Sequence, residues 1–256
     1  MKRFFKFLTV AAVLACAGLV VMYPYLRASR VQSPFEAAAL LQQELRAGGD
    51  EVTFRTQDVE LDSVYTALEA IYPYAFSLHS TTRPNGTTTL RVEVSRQSRQ
   101  KQAREYAGQL AADAVKPGMD AWEKLRALHD TLVRLCEYDS ETAESERRSG
   151  ADAPFAADGA LLDHKAVCAG YGRAFAMLCE AAGLRAVYVT SEEMDHGWNA
   201  VRLDGTTYFI DCTFDDPVPD RGEYAGSDYF MKTAEELAKT HQWDIPFYEH
   251  VLDGLL

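Results

Sequence analysis

Paired cysteines are missing from this chain. Its 256 residues include five cysteines, and no two of them form a CxxC motif. Their spacing gives no disulfide framework, and the missing pairs argue against a structural zinc site. Cys16 lies in an apolar leader, which leaves four cysteines in the body of the chain: Cys136, Cys168, Cys179 and Cys212. One of these four is therefore a candidate for chemistry.

Positive charge is also scarce. The chain has 26 Lys and Arg against 38 Asp and Glu, a net charge of −12 at pH 7. Such a surface repels phosphate backbones, so we expect no nucleic-acid partner. The acidic run at residues 139–146 lacks the central glycine and alternating oxygen ligands of a calcium loop, and it predicts a solvated loop. We predict no cofactor and no bound metal.

A long apolar run occurs only once, at residues 7–23, where no charged residue interrupts it. Its length is at the lower limit for crossing a bilayer. We predict that residues 1–30 are an N-terminal membrane anchor, and that the cations before the run keep the rest of the chain outside the cytoplasm. The alternative is a secretory signal cleaved after the small residues 15–17, which would give a secreted protein. Lipidation of Cys16 is disfavoured because the residues after it are hydrophobic.

The pattern beyond the leader predicts two domains. Residues 35–96 read as a small α+β domain, with two helices, a strand and a hairpin around the turn at Asn85 and Gly86. Residues 97–256 begin with two amphipathic helices, followed by a glycine-rich helix, three strands and a closing helical region. The predicted fold class is α+β, with a buried cysteine-bearing helix against an antiparallel sheet. We interpret His129, on the second amphipathic helix, as a surface or capped residue.

Cys168 stands at the start of the glycine-rich helix, which Gly183 ends. Unpaired N–H groups and the positive end of the helix dipole favour a thiolate there. The alternative is a packing role, as for most single cysteines. Cys179 illustrates that role, because it lies about 16 Å further along the helix, too far to act with Cys168.

The stretch HGWNAVRLDGTTYFIDCTFDDP supplies a base and a group to hold it. Asp204 and Gly205 predict a two-residue hairpin turn, which pairs Leu203 with Thr206 and places His196 and Asp211 on one face. The two are then diagonal neighbours, about 7 Å apart at Cα and within hydrogen-bond reach. A three-residue loop would put them on opposite faces, and an ordinary sheet with an exposed His and Asp is the alternative interpretation.

A cysteine at a helix start, then a histidine and an aspartate on adjacent strands, follows the order of papain-like thiol enzymes. With AVCAGYGRAFAMLCEAAGLRAVYV, LHDTLVRLCEYDSE and DYFMKTAEELAKTHQWD, the chain resembles a bacterial transglutaminase-like domain over about residues 97–244. The resemblance implies a papain/transglutaminase-like core. It makes Cys168 the nucleophile, His196 the general base and acid, and Asp211 the group that fixes the imidazole.

The same resemblance gives further expectations for the site. Tyr138 is a candidate second oxyanion donor beside the backbone N–H of Cys168. Trp198 and Tyr171 are expected to flank a substrate channel. We interpret Asp215 and Asp216, after the hairpin, as turn-forming rather than catalytic.

The resemblance also implies an activity. The expected enzyme is a thiol-dependent acyltransferase acting on protein or peptide amides near the cell envelope, by hydrolysis or by amine transfer. The main alternative is a non-catalytic, membrane-anchored binding or scaffold module that retains the fold, and a Cys/His/Asp metal site is a third. The substrate and the oligomeric state stay open.

Overall fold

The computed structural model describes residues 28–56, 59–145 and 149–254. Residues 1–27 of the predicted anchor therefore lie outside the described residues. Within the described ranges no helix combines the length and apolarity that a membrane crossing requires.

The chain divides into two compact units. The first runs to Tyr65 and also contains Leu78–Glu93, whereas Thr66–Ser77 and the residues from Val94 onward form the second. The predicted domain limits, at 35–96 and 97–256, stay predictions.

The elements up to Val94 centre on a four-stranded sheet. In chain order they are β1 (Ser29–Arg30), α1 (Pro34–Ala47), β2 (Glu51–Arg55), α2 (Leu61–Ile71), β3 (Phe76–Thr82) and β4 (Thr87–Val94). The strand order is β1-β2-β4-β3. Ser33 caps α1 by accepting from Glu36 N–H, and Gly48 ends it with a φ of 91°, a left-handed conformation that glycine adopts without strain. The two predicted helices, the strand and the hairpin of this region are confirmed.

The elements after Val94 combine helices with a three-stranded antiparallel sheet. They begin with α3 (Gln97–Ala114), α4 (Ala121–Leu135), β5 (Glu137–Tyr138), α5 (Ser140–Glu144), a 3₁₀ turn (Ala153–Phe155), a π-helical turn (Gly159–Asp163) and β6 (Lys165–Ala166). They continue with α6 (Cys168–Ala181), β7 (Val187–Ser191), β8 (His196–Leu203), β9 (Thr206–Ile210), α7 (Ala234–Leu237) and α8 (Ile245–Gly254). The sheet order is β7-β8-β9. This is the α+β fold that the sequence predicts.

Helix α6 forms the centre of the second unit. Every residue from Gly170 to Cys179 is buried, so the helix is enclosed on all sides. The two glycines near its start allow close packing. A Cβ on Gly170 would lie 2.5 Å from Pro154 O, and one on Gly172 would lie 2.4 Å from the Tyr188 ring. Close packing against backbone and an aromatic ring therefore explains both glycines.

The hairpin of β8 and β9 has the predicted register. Leu203 pairs with Thr206, and the ladder runs to the pair Asn199 and Ile210. Asp204 and Gly205 both have positive φ, as a two-residue hairpin turn requires. The ladder ends before Asp211, whose N–H donates to Tyr229 O instead. Asp211 nevertheless keeps the face that the register assigns to it.

Candidate active site

Cys168 is the first residue of α6, as predicted. Its side chain is partly exposed, and the preceding Val167 has no side-chain group to cap the helix. Gly170 and Tyr171 donate their N–H groups to Val167 O. The N–H groups of Cys168 and Ala169 are the remaining donors of the first turn, so they are available to an anion beside the sulfur.

The other described cysteines differ from Cys168 in burial. Cys136, Cys179 and Cys212 are each at most 3% exposed, and all four described cysteines are free thiols. Burial raises the pKa of Cys136 to about 12 and raises the pKa of Cys179 and of Cys212 as well. A buried thiol with a raised pKa is a poor nucleophile. Cys168 is therefore the reactive candidate in the described part of the chain.

His196 and Asp211 form a short hydrogen bond. His196 Nε2 lies 2.7 Å from Asp211 Oδ2, and because a carboxylate only accepts, Nε2 carries the proton. The other oxygen of Asp211 accepts from the N–H groups of Thr213 at 2.9 Å and Phe214 at 3.1 Å. Asp211 is fully buried, and these bonds replace the water that its charge has lost.

The second ring nitrogen of His196 is then left for Cys168. Burial opposes a charge on the imidazole, but hydrogen bonds and charges from Asp211 and Cys168 outweigh it and raise the pKa of His196 to about 10. Burial likewise opposes ionisation of Asp211, and the donors from His196, His241 and the backbone still hold its pKa below the ordinary value. The three predicted residues Cys168, His196 and Asp211 are thus brought together as a thiol, an imidazole and a carboxylate.

An exposed aromatic ring covers one face of His196. Phe214 stacks on the imidazole with a centroid distance of 4.7 Å and is 45% exposed. Sequence reasoning missed it, because one phenylalanine in a turn carries no distinctive pattern. It gives the site an apolar wall that solvent reaches.

Trp198 and Tyr171 are core residues and not the substrate contacts we expected. Each is 1% exposed. Trp198 packs between His196 and His241, with centroid distances of 5.6 and 4.7 Å. The Tyr171 hydroxyl donates to Cys136 O at 2.9 Å and also contacts the Asp216 carboxylate. Side chains this buried cannot line an open channel.

Tyr138 lies close to the nucleophile along the backbone. It pairs with Ala166, two residues before Cys168, in the short parallel ladder of β5 and β6. Its side chain packs partly buried against the core cluster. The oxyanion role of its hydroxyl stays a prediction.

His241 is a second histidine on Asp211 that the sequence did not reveal. Its Nε2 lies 3.0 Å from Asp211 Oδ2, the oxygen that His196 also uses. Its Nδ1 lies 2.8 Å from the Thr240 hydroxyl, and the residue is 1% exposed. It follows α7 in a segment without clear periodicity, so only the folded chain shows the contact.

These three side chains also have the donor types of a metal site. One ligand atom from each of His196, Asp211 and His241 lies within 4.8 Å of the others. However, both imidazole nitrogens are at hydrogen-bond distance from a single carboxylate oxygen, and each ring N–H that donates there is protonated. A metal ligand must be deprotonated, so the arrangement fits hydrogen bonds better than coordination.

A separate histidine centre lies on α4. His129 is fully buried, with Nδ1 at 2.9 Å from Asp130 and Nε2 at 3.1 Å from Asp215. The interpretation of His129 as a surface residue is wrong, because these two carboxylates satisfy it inside the core. Asp215 also accepts from Tyr229 N–H, which agrees with a structural role.

The fold and this constellation define an α+β domain in which a helix-start cysteine faces a histidine on an antiparallel sheet and an aspartate that directly follows the last strand of that sheet. Residues 108–211 match the model of the transglutaminase-like superfamily. This confirms the family resemblance. His241 lies beyond the matched residues.

The chain is also similar to individual proteins. Over 120 residues it is 29% identical to kyphoscoliosis peptidase of Mus musculus and 28% identical to that of Homo sapiens. Each match covers 41% of this chain and 18% of the relative, so the chain spans about a fifth of the length of these curated relatives. A solved structure described as a TGase has 15% identity, covers 64% of this chain and 51% of that one, and superposes with a TM-score of 0.35, too low to add support.

Proposed function

We propose that this protein is a thiol-dependent acyl-transfer enzyme acting on protein or peptide amides through Cys168, His196 and Asp211. One observation carries the proposal. A partly exposed cysteine at a helix start lies beside an imidazole whose Nε2 donates to a buried carboxylate at 2.7 Å. Nucleophile, base and orienting group are thereby in contact in the order that thiol catalysis needs.

In the first step the Cys168 thiolate attacks the carbonyl carbon of the amide. The C=O bond opens to an oxyanion, which the N–H groups of Cys168 and Ala169 are placed to stabilise. The imidazolium of His196 then gives its proton to the departing nitrogen, the C–N bond breaks, and a thioester on Cys168 remains. Asp211 keeps the ring oriented throughout by accepting from Nε2.

The second step resolves the thioester. Neutral His196 takes a proton from water or from a primary amine, the oxygen or nitrogen attacks the thioester carbonyl, and the sulfur leaves as thiolate. Water gives hydrolysis and an amine gives transamidation. The same residues serve both, so the outcome depends on how well the wall around Phe214 excludes water while admitting an amine.

The proposed location follows from the leader. Residues 1–30 hold the enzyme in a bacterial cell membrane, and the rest of the chain works outside the cytoplasm on envelope proteins or peptides. Fractionation of cells expressing the full chain, followed by protease treatment of intact spheroplasts, tests this placement. Digestion of the membrane-bound chain from outside is the expected result. A chain protected from protease contradicts it, and a chain found in the medium supports the cleaved signal.

The first experiment on the chemistry measures iodoacetamide alkylation of each cysteine by mass spectrometry between pH 4 and pH 9. The full chain is compared with His196→Ala. We expect Cys168 to react fast well below the ordinary thiol pKa of about 8.5 and to lose that reactivity without His196. Cys179 on the same helix is an internal control, because its burial should keep it silent.

A peptide-amide library, with and without a fluorescent primary amine, then separates hydrolysis from transfer. Cys168 that titrates as an ordinary thiol, with no effect of His196, would overturn the enzyme proposal. The non-catalytic binding module would then be the better account of the fold.

A further inference from the structure

We infer that His241 is a positioning residue that shares the acceptor Asp211 Oδ2 with His196. By donating to that oxygen, His241 weakens the attraction of the carboxylate for the His196 proton. The inference rests on the proposed function for its catalytic meaning. The geometry behind it is independent of any substrate, since both imidazole Nε2 atoms lie at hydrogen-bond distance from the same oxygen, at 2.7 and 3.0 Å.

The proton on Nε2 of His241 is fixed by the carboxylate that accepts from it. Asp211 can only accept, so Nε2 of His241 must donate. Nδ1 lies 2.8 Å from the Thr240 hydroxyl, which also donates to Leu237 O at 3.3 Å. Whichever role the hydroxyl takes, the N–H of Nε2 stays aimed at the carboxylate. A ring that is 1% exposed has no water to replace these partners.

Two donors on one oxygen divide its negative charge. The Asp211 anion is stabilised by His241, and a stabilised carboxylate attracts the proton of His196 less strongly. The orientation of Asp211 does not depend on His241, because Oδ1 is held separately by the N–H groups of Thr213 and Phe214. Removing His241 should therefore leave the carboxylate in place and strengthen its hold on His196.

This matters for the departing amine. An imidazolium that is held too tightly is a weak general acid, because the ideal pKa for proton transfer is near the working pH. Among the described residues, the titratable groups against the His241 ring are Asp211, His196 and Tyr229, with Phe214 and Trp198 as uncharged neighbours. His241 is thus the second imidazole donor to Oδ2, and it takes up part of the charge on that oxygen.

The test uses the full chain carrying Cys168→Ala, so that thiolate formation does not enter the measurement. The six histidines are labelled with ¹⁵N and the ring nitrogens are titrated by NMR. His241→Phe keeps an aromatic ring and removes the donor, whereas His241→Gln keeps an N–H donor. We expect the His196 midpoint to rise by about one pH unit in His241→Phe and to return toward its original value in His241→Gln.

An unchanged midpoint, or one that falls, in folded His241→Phe overturns the inference, and so does a loss of stability with no change in the titration. If His241→Phe does not fold, the parent chain still decides. A His241 ring found with its proton on Nδ1 and none on Nε2 contradicts the proposed donor. Because Cys168 is absent from this test, a failed alkylation experiment would overturn the proposed function without touching this result.

Discussion

Two histidine centres in the described part of the second unit look alike in composition and differ in what surrounds them. His196 gives one ring nitrogen to Asp211 and has the other directed to Cys168. Both ring nitrogens of His129 lie at hydrogen-bond distance from carboxylates, those of Asp130 and Asp215. Because both carboxylates only accept, His129 must be an imidazolium with no nitrogen left for chemistry. A histidine and an aspartate do not make an active site unless one ring nitrogen remains free to face a nucleophile.

The largest effect that separates the two centres should come from the nucleophile itself. Cys168→Ala is expected to lower turnover of a peptide amide by about 10⁴-fold or more, since removal of a nucleophile leaves only binding and oxyanion stabilisation. The melting temperature should change little, because Cys168 is partly exposed. Cys179→Ala is the matched control on the same helix. It should retain activity while losing some stability, because it truncates a fully buried side chain.

A chain that unfolds on Cys168→Ala, or that keeps its turnover, would make Cys168 a packing residue. The two histidine centres would then be equivalent.

The second prediction concerns the His129 centre, where we expect a substitution to change stability and not turnover. His129→Leu is expected to lower the free energy of unfolding by about 3–5 kcal/mol, because it leaves Asp215 as an unpaired buried charge. Turnover per folded molecule should stay the same. Urea unfolding gives the free energy, and the amide assay on the folded fraction gives the turnover.

His79→Ala is the control for that measurement. His79 faces Glu93 at 3.6 Å with both side chains mostly exposed, so its removal should change stability by less than about 0.5 kcal/mol. If His129→Leu lowers turnover per folded molecule about as much as Cys168→Ala does, the centre on α4 takes part in the reaction.

A third prediction concerns pH. Burial opposes the charge of His129, but hydrogen bonds and charges from Asp130 and Asp215 raise its pKa above the ordinary value of 6.5. The unfolded chain thus releases this proton at a lower pH than the folded chain does. The stability that His129 contributes is fully present below about pH 6.5 and decreases as pH rises toward its folded pKa, by up to about 1.4 kcal/mol per pH unit.

Urea unfolding at pH 6 and pH 9 checks this sign. The parent chain should lose stability over this interval, and His129→Leu should lose less of it. An equal loss in both proteins would show that His129 is not charged in the folded state.

These comparisons also show how far sequence reasoning reached. The turn at Asp204 and Gly205 fixes the strand register, and the register places His196 and Asp211 on one face, so local chemistry alone predicts that pair. Likewise, the apolar helical run ends at Gly183, and its length back from that glycine places Cys168 in the first turn. Both predictions depend on residues close in sequence.

What sequence reasoning missed depends on distant contacts. Asp215 reaches His129 across 86 positions, and His241 reaches Asp211 across 30, with no periodic pattern to announce either contact. Trp198 and Tyr171 were misjudged because an aromatic side chain suits a core and a channel equally well. Only the packing around α6 decides between the two.

The smallest expected difference lies in the aromatic ring beside each histidine. Phe214 stacks on His196 and is 45% exposed, whereas Phe230 lies 5.1 Å from the His129 ring and is 8% exposed. Phe214→Ala should lower kcat/KM about 3- to 10-fold through a looser imidazole and a lost apolar wall, with stability changed by less than about 1 kcal/mol. Phe230→Ala is the matched control and should lower stability with no change in kcat/KM of the folded fraction. A kcat/KM that is unchanged in Phe214→Ala would mean that Asp211 and Cys168 suffice to orient His196, and that substrate approaches from another side of the ring.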